Sequence, residues 1–155
     1  MNLDEQTGGF DLGDQTALVC IDTQPYQKLI ASQLTDLGYK VHLGLFFEDV
    51  ILKLATCSYN VVVVAENFKG ANLANNPILL EMVKRPGAIR REHFVVLLSS
   101  HFMTNDSMTA FVQSVDQIIN IGDIANFKTV LRRGVSQHAD LYSPFQETLR
   151  AARAA

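Results

Sequence analysis

The sequence predicts one α/β domain: a five-stranded parallel sheet, doubly wound, with helices on both faces and an extra helical tail at the C-terminal end. Three observations carry this. Five short apolar runs of strand length alternate with five segments whose apolar residues recur every three to four positions. The runs are apolar throughout rather than alternating, as strands covered on both faces must be. The 155 residues suffice for one well-buried core and fall short of two ordinary domains. Right-handed crossovers close such a pattern into a doubly wound sheet, whose site lies in the crevice at the carboxyl ends of the strands.

Residues 1–15, MNLDEQTGGFDLGDQ, are acidic, polar and glycine-rich, and read as a flexible lead. ALVCI (17–21) is the first strand. A helix over 24–37 turns Tyr26, Leu29, Ile30, Leu34 and Leu37 inward, with Pro25 in its first turn and Gly38 as its stop. VHLGL (41–45) is the second strand, and Phe46, Phe47, Val50, Ile51 and Leu54 share one face of the next helix. VVVV (61–64) is the third strand; Asn76 and Pro77 then open a helix that buries Ile78, Leu79, Met82 and Val83. FVVLL (94–98) is the fourth strand, and Thr104 or Asp106 caps a short helix holding Met108, Phe111 and Val112. QIINI (117–121) is the fifth, and Asp123 caps a last helix with Ile124, Phe127, Val130 and Leu131.

Gly134 suits the stop of that helix, giving a domain over 16–134 and an extension over 135–155, although the helix can run through at a cost of about 1 kcal/mol. In the extension Leu141, Tyr142, Phe145 and Leu149 form an apolar stripe, and Pro144 either kinks a long helix or starts a new one capped by Ser143. A lone helix of this length is marginal in water. The stripe therefore packs either on its own domain or on a second subunit or partner.

Composition narrows the function. A net charge of −3 with scattered Lys and Arg gives no pull toward nucleic acid or an anionic membrane. Lys84, Arg85, Arg90 and Arg91 read as a solvated helix end, since no aromatic platform alternates with them. No apolar run approaches membrane-span length, and the first residues lack the signal-peptide pattern, so a cytoplasmic module is expected. Cys20 and Cys57 have no metal-type spacing and read as two buried free thiols.

The stretch YNVVVVAENFKG (59–70) poses the chemical question, because a buried strand that ends at a carboxylate is a common start for an active site. The ordered set IDTQPYQKLIASQLTDLGYKV, SYNVVVVAENFKG, HFVVLLSS and SVDQIINIGDIANF resembles the receiver domains of bacterial response regulators, over about Thr16 to Gly134. The resemblance implies a flavodoxin-like sheet and, in the family, phosphoryl transfer to an aspartate. Two further carboxylates there hold Mg²⁺, and a hydroxyl and a lysine bind the phosphoryl oxygens.

Position by position, this chain keeps Asp22 from the acidic pair, with Ile21 in place of its first member, and Ser99 as the hydroxyl residue. The phosphoacceptor position falls on Ala65 and the lysine position on Ile121. A methyl group cannot attack phosphorus, and one carboxylate is a poor Mg²⁺ site. Ile21, Asp22, Ala65, Glu66, Ser99 and Ile121 therefore make a degenerate phosphorylation pocket. Strand alternation is expected to point Glu66 away from it, unless a bulge re-aims the side chain.

The expectation is a non-catalytic pseudo-receiver in bacterial signalling, with no cofactor. It recruits protein partners or dimerises through the face of its fourth helix, fifth strand and fifth helix, or through the C-terminal helix. Met108, Phe111, Ile119, Phe127, Leu141 and Phe145 are the candidate contact residues. A small ligand or a cation at Asp22 and Ser99 is the alternative, beside the blander reading of Asp22 as a cap or an acceptor of backbone N–H groups and Ser99 as a hydrogen-bonded strand end. An atypical phosphoacceptor at Glu66 ranks below these. So does a hydrolase like the isochorismatases, which ALVCIDTQ also resembles; its nucleophilic Cys has no counterpart, since Cys57 closes a helix and Cys20 lies inside a strand. His93 and His101, flanking the fourth strand, read as surface histidines.

Overall fold

The computed structural model describes residues 15–84 and 93–154, with side chains through Asp140. The lead over 1–14 and the basic cluster from Arg85 to Arg91 lie outside the described residues. Five strands, β1 (Thr16–Cys20), β2 (Lys40–Leu43), β3 (Val61–Ala65), β4 (Phe94–Ser99) and β5 (Gln117–Asn120), form one parallel sheet in the order β2-β1-β3-β4-β5. The predicted flavodoxin-like, doubly wound sheet is what forms, with strand ends within two residues of those read from the apolar runs. β3 is buried at every position, as four successive valines between two neighbouring strands require.

The helices are α1 (Tyr26–Asp36), α2 (Phe47–Thr56), α3 (Pro77–Lys84), α4 (Ser107–Gln113) and α5 (Phe127–Ala154). Helix α1 packs on α5 and α2 on α3, the two layers that right-handed crossovers impose on this strand order. The first pair is stitched by Gln33, which donates to the Ile124 carbonyl and accepts from the Lys128 N–H, both at 2.7 Å. Gly38, at φ 98°, ends α1 as predicted. It lets the Tyr39 N–H turn back to the Leu34 carbonyl, a bond that a Cβ in left-handed backbone would strain.

Leu29 and Val83, read as inward, are exposed; Asp123 lies inside a 3₁₀ turn ahead of the last helix and does not cap it; and three further local readings are corrected. The short helix α4 does not bury Met108, Phe111 and Val112; all three are exposed, and Ala110 faces inward. Its register is fixed from its ends: Asp106 caps it by accepting the Thr109 N–H, and Ser114 stops it at φ 60°. Cys20 is buried but Cys57 is exposed, because the residue after the last turn of α2 has left the helix's inward face. His93 is buried, with Nδ1 2.7 Å from the Tyr59 carbonyl, and is not a surface histidine.

Helix α5 runs unbroken through Gly134 and Pro144. Gly134 makes room instead of ending the helix: a Cβ there would lie 2.6 Å from the Gln117 Oε1. Gln117 is buried at the start of β5 and ties the helix down, donating from Nε2 to Asn105 Oδ1 and to the Val130 carbonyl.

Candidate functional site

The carboxyl ends of β1, β3, β4 and β5 converge as the topology dictates. Ile21, Ala65, Leu98 and Ile121 contribute hydrocarbon to the lining of a cavity of about 120 Å³, joined by Tyr26 and Glu66. Ala65 brings a methyl group to this lining and Ile121 its side chain, at the two positions where the receiver resemblance implies an acid and a lysine. Asp22 follows the end of β1, exposed, and accepts the Lys69 N–H at 3.0 Å. That bond steadies a turn in which Lys69 itself sits at φ 53°. The blander reading of Asp22, a carboxylate that accepts a backbone N–H, matches this geometry. Among the described residues no three His, Cys, Asp or Glu side chains stand together as a metal site.

Glu66 departs from expectation. It is 7% exposed, and its carboxylate turns along the strand ends toward β4. The last ladder residue of β3 is Ala65, opposite Leu98, so residue 66 lies next to Ser99 where the pleat no longer dictates direction. Ser99 Oγ donates to Oε1 at 2.9 Å; the Ser100 N–H and hydroxyl both reach Oε2 at 3.1 Å, and His101 Nδ1 lies 2.6 Å from it. Burial alone would raise the carboxyl pKa. The Ser100 N–H, the two hydroxyls and the imidazole together outweigh burial and hold it below the ordinary value. The network is closed, since Ser99 Oγ in turn accepts the N–H groups of His101 and Phe102. Ser99 is therefore the hydrogen-bonded strand end of the blander reading, and its hydroxyl is already engaged.

Sequence reasoning missed Ser100 and the tie of His101 to Glu66, whereas Asn76 opens α3 as expected. His101 is a surface histidine as expected, with a side chain 75% exposed, but its Nδ1 is committed to Glu66. Asn76 is fully buried. Its Oδ1 caps α3 by accepting the Ile78 N–H at 3.0 Å, while Nδ2 donates to the Ala65 carbonyl at 3.3 Å, pinning the end of β3.

From this cluster a loop leads to α4. The Phe102 carbonyl accepts from Asn120 Nδ2, Thr104 Oγ1 accepts the Asn120 N–H, and the Asn105 N–H donates to the Ile118 carbonyl. These bonds cover the free edge of β5, which would otherwise present unpaired backbone groups. Beyond the loop Met108 and Phe111 stand 72% and 81% exposed, beside a groove of about 450 Å³ between α4, β5 and α5. Ile119 and Phe127 do not belong to that surface. Both are wholly buried, Ile119 in a strand facing the core and Phe127 under the first turn of α5. Leu141 and Phe145 lie on α5 beyond the described side chains.

The thiols do not reach the crevice either. Cys20 lies within β1, where burial pushes its pKa far up, and Cys57 closes α2, at the opposite end of the sheet from the strand carboxyl ends. No helix among the described residues is long and apolar enough to cross a membrane.

No protein-family model matches the chain, and no curated protein sequence resembles it. Solved structures do. A CheY-like response regulator receiver domain from Methylobacillus flagellatus aligns with a TM-score of 0.59 and 20% identity over 78% of this chain and 98% of its own. An orphan response regulator of H. pylori aligns at 0.53 and 16%, over 77% and 98%. A protein carrying residues 181–211 of the trimeric coiled coil of yeast Spc42 aligns at 0.62 and 16%, over 91% and 90%. At these identities the likeness is one of fold, and the fold is that of receiver domains.

Proposed function

We propose that this chain is a receiver-like signalling module that works through protein contact and is not switched by aspartyl phosphorylation. One observation carries the reading: the acceptor and lysine positions are hydrocarbon, and the nearest carboxylate, Glu66, already takes hydrogen bonds from four donors. A nucleophile needs a free lone pair and an approach path, and phosphoryl transfer needs fixed positive charge on the oxygens. Ile121 supplies no such charge, and Glu66 is buried, with three donors on Oε2 and one on Oε1. Its carboxylate instead holds Ser99 and the loop toward α4 in one arrangement. The apolar surface of α4 and its groove are then a standing docking face.

Intact-mass measurement after incubation with acetyl phosphate and Mg²⁺ tests this. The mass is expected to stay that of the unmodified chain; a phosphate adduct on Glu66 or Asp22 would overturn the reading.

A further inference from the structure

Among the described residues, Gln117 Oε1 is the buried side-chain oxygen that has no hydrogen-bond partner. Buried acceptors are almost always satisfied, so an orphan of this kind calls for a donor from outside the fold. Gln117 is 5% exposed, and its Nε2 is already taken by Asn105 Oδ1 and the Val130 carbonyl. The residue lines the groove of about 450 Å³ between α4, β5 and α5. Gly134 lines that groove too, and a Cβ there would lie 2.6 Å from Oε1, so the helix presents bare backbone beside the oxygen.

The rest of the lining sets the sign of the donor. Asp106 and Asp116 bring carboxylates, and no Lys or Arg among the described residues contributes. Asp106 accepts the Thr109 N–H at 3.0 Å and the Thr109 hydroxyl at 2.8 Å, bonds that hold its carboxyl below the usual range. Asp116 Oδ2 accepts the Val95 N–H at 2.8 Å, and Oδ1 lies 3.7 Å from His138 Nε2. Phe111, 81% exposed, adds an aromatic face to the same lining. A buried neutral acceptor, negative charge and an open ring occur together here. An ammonium is a point charge that answers the second. A guanidinium answers all three, being planar, permanently positive, rich in donors without an acceptor, and able to stack on a ring.

We propose that this groove seats an arginine side chain of a partner protein, its guanidinium directed to Gln117 Oε1 and facing Asp106 and Asp116, with apolar neighbours of that arginine resting on Met108 and Phe111. This rests on the reading that the module works through protein contact at α4, and it names the chemistry of the partner. A protein segment, and not a free small cation, follows from the shoulder that Met108 and Phe111 form beside the groove. A lone guanidinium leaves that apolar surface uncovered, whereas an arginine flanked by apolar residues covers it.

Titrating the isotope-labelled full chain with the blocked peptide acetyl-Leu-Ala-Arg-Ala-Leu-amide tests the proposal. The side-chain amide of Gln117 and the backbone amides of Asp106, Phe111 and Gly134 are expected to shift saturably. Citrulline in place of arginine, the same shape without the charge, is expected to weaken binding by about tenfold or more, and lysine by about fivefold. Asp106→Asn keeps an oxygen to cap α4 and is expected to weaken the arginine peptide by about fivefold, as is Phe111→Ala. Glu48→Gln, at an exposed charge on α2, leaves binding unchanged. Silence at these resonances, equal binding of the citrulline or lysine peptide, or indifference to Asp106→Asn would overturn the arginine seat. So would N-acetylarginine methylamide bound as tightly as the peptide, which places a free small cation there, or resonances that move with protein concentration alone, which place a second copy there. Shifts at Met108 and Phe111 that do not depend on arginine sink the seat and leave the contact reading standing. A phosphate adduct on Glu66 or Asp22 removes the contact reading and leaves arginine binding in place.

Discussion

Replacing Glu66 with Gln keeps size and shape and removes one property, an ionised acceptor that faces donors on every side. With the new amide oxygen toward Ser99, the NH₂ group faces the Ser100 N–H, which cannot turn away. With the amide flipped, the NH₂ group faces Ser99 Oγ, whose lone pairs already take two backbone N–H groups. Either orientation wastes a bond and strips charge assistance from the rest. A bond to a charged group contributes roughly 1.5–3 kcal/mol against 0.5–1.5 for a neutral one, and an unmatched buried donor costs about 1–3. Relief from burying a carboxylate offsets part of this, leaving a net loss of about 2 kcal/mol.

For a chain of this size that loss lowers the melting temperature by roughly 4–8 °C. Urea melts at neutral pH measure it directly. The difference should also depend on pH with a definite sign. Glu66 is held below its ordinary pKa of 4.5, so its contribution is present above that value and fades as pH falls through the lower folded-state value. Wild type and variant should therefore converge in acid. Equal stability at neutral pH, or a gap that persists unchanged into acid, would refute the role assigned to this carboxylate.

Other residues carry their own expectations. Gly44→Ala would set a Cβ 2.4 Å from Val50 Cγ2 and 3.3 Å from Cys20 Sγ, and should cost about 1–3 kcal/mol in chemical denaturation. Asn76→Ala removes a helix cap and the tie to the Ala65 carbonyl together; a loss of about 2 kcal/mol is expected, and a change under half of that would mean the buried amide is replaceable. Titration with a thiol reagent under native conditions should modify Cys57 quickly and Cys20 only on unfolding; two fast thiols would contradict the burial of β1.

Much of the sheet was legible because a strand buried on both faces has no choice of composition: VVVV and FVVLL have few other places to go. Elements fixed by their ends were not. Helix α4 has too few residues for a periodicity to declare its inward face, and the cap at Asp106 and the left-handed Ser114 set that face instead. Glu66 was misdirected because alternation was carried one residue past the last rung of the ladder. The signal that would have placed it is the register itself, since residue 66 follows Ala65 just as Ser99 follows Leu98. The run Ser99-Ser100-His101 then stands as a row of donors beside a carboxylate. Gly134 was read as a stop, a role open to any glycine late in a helix; only the packed geometry reveals the buried amide it accommodates.

The claim on which the rest depends is that the crevice has no seat for a phosphoryl group. Titrating the isotope-labelled chain with beryllofluoride and Mg²⁺, and following the amide resonances of Ala65, Glu66, Ser99 and Ile121, tests it directly. The account predicts that these resonances do not move at any anion concentration that leaves the fold intact. A saturable shift that centres on them and requires Mg²⁺ would contradict it.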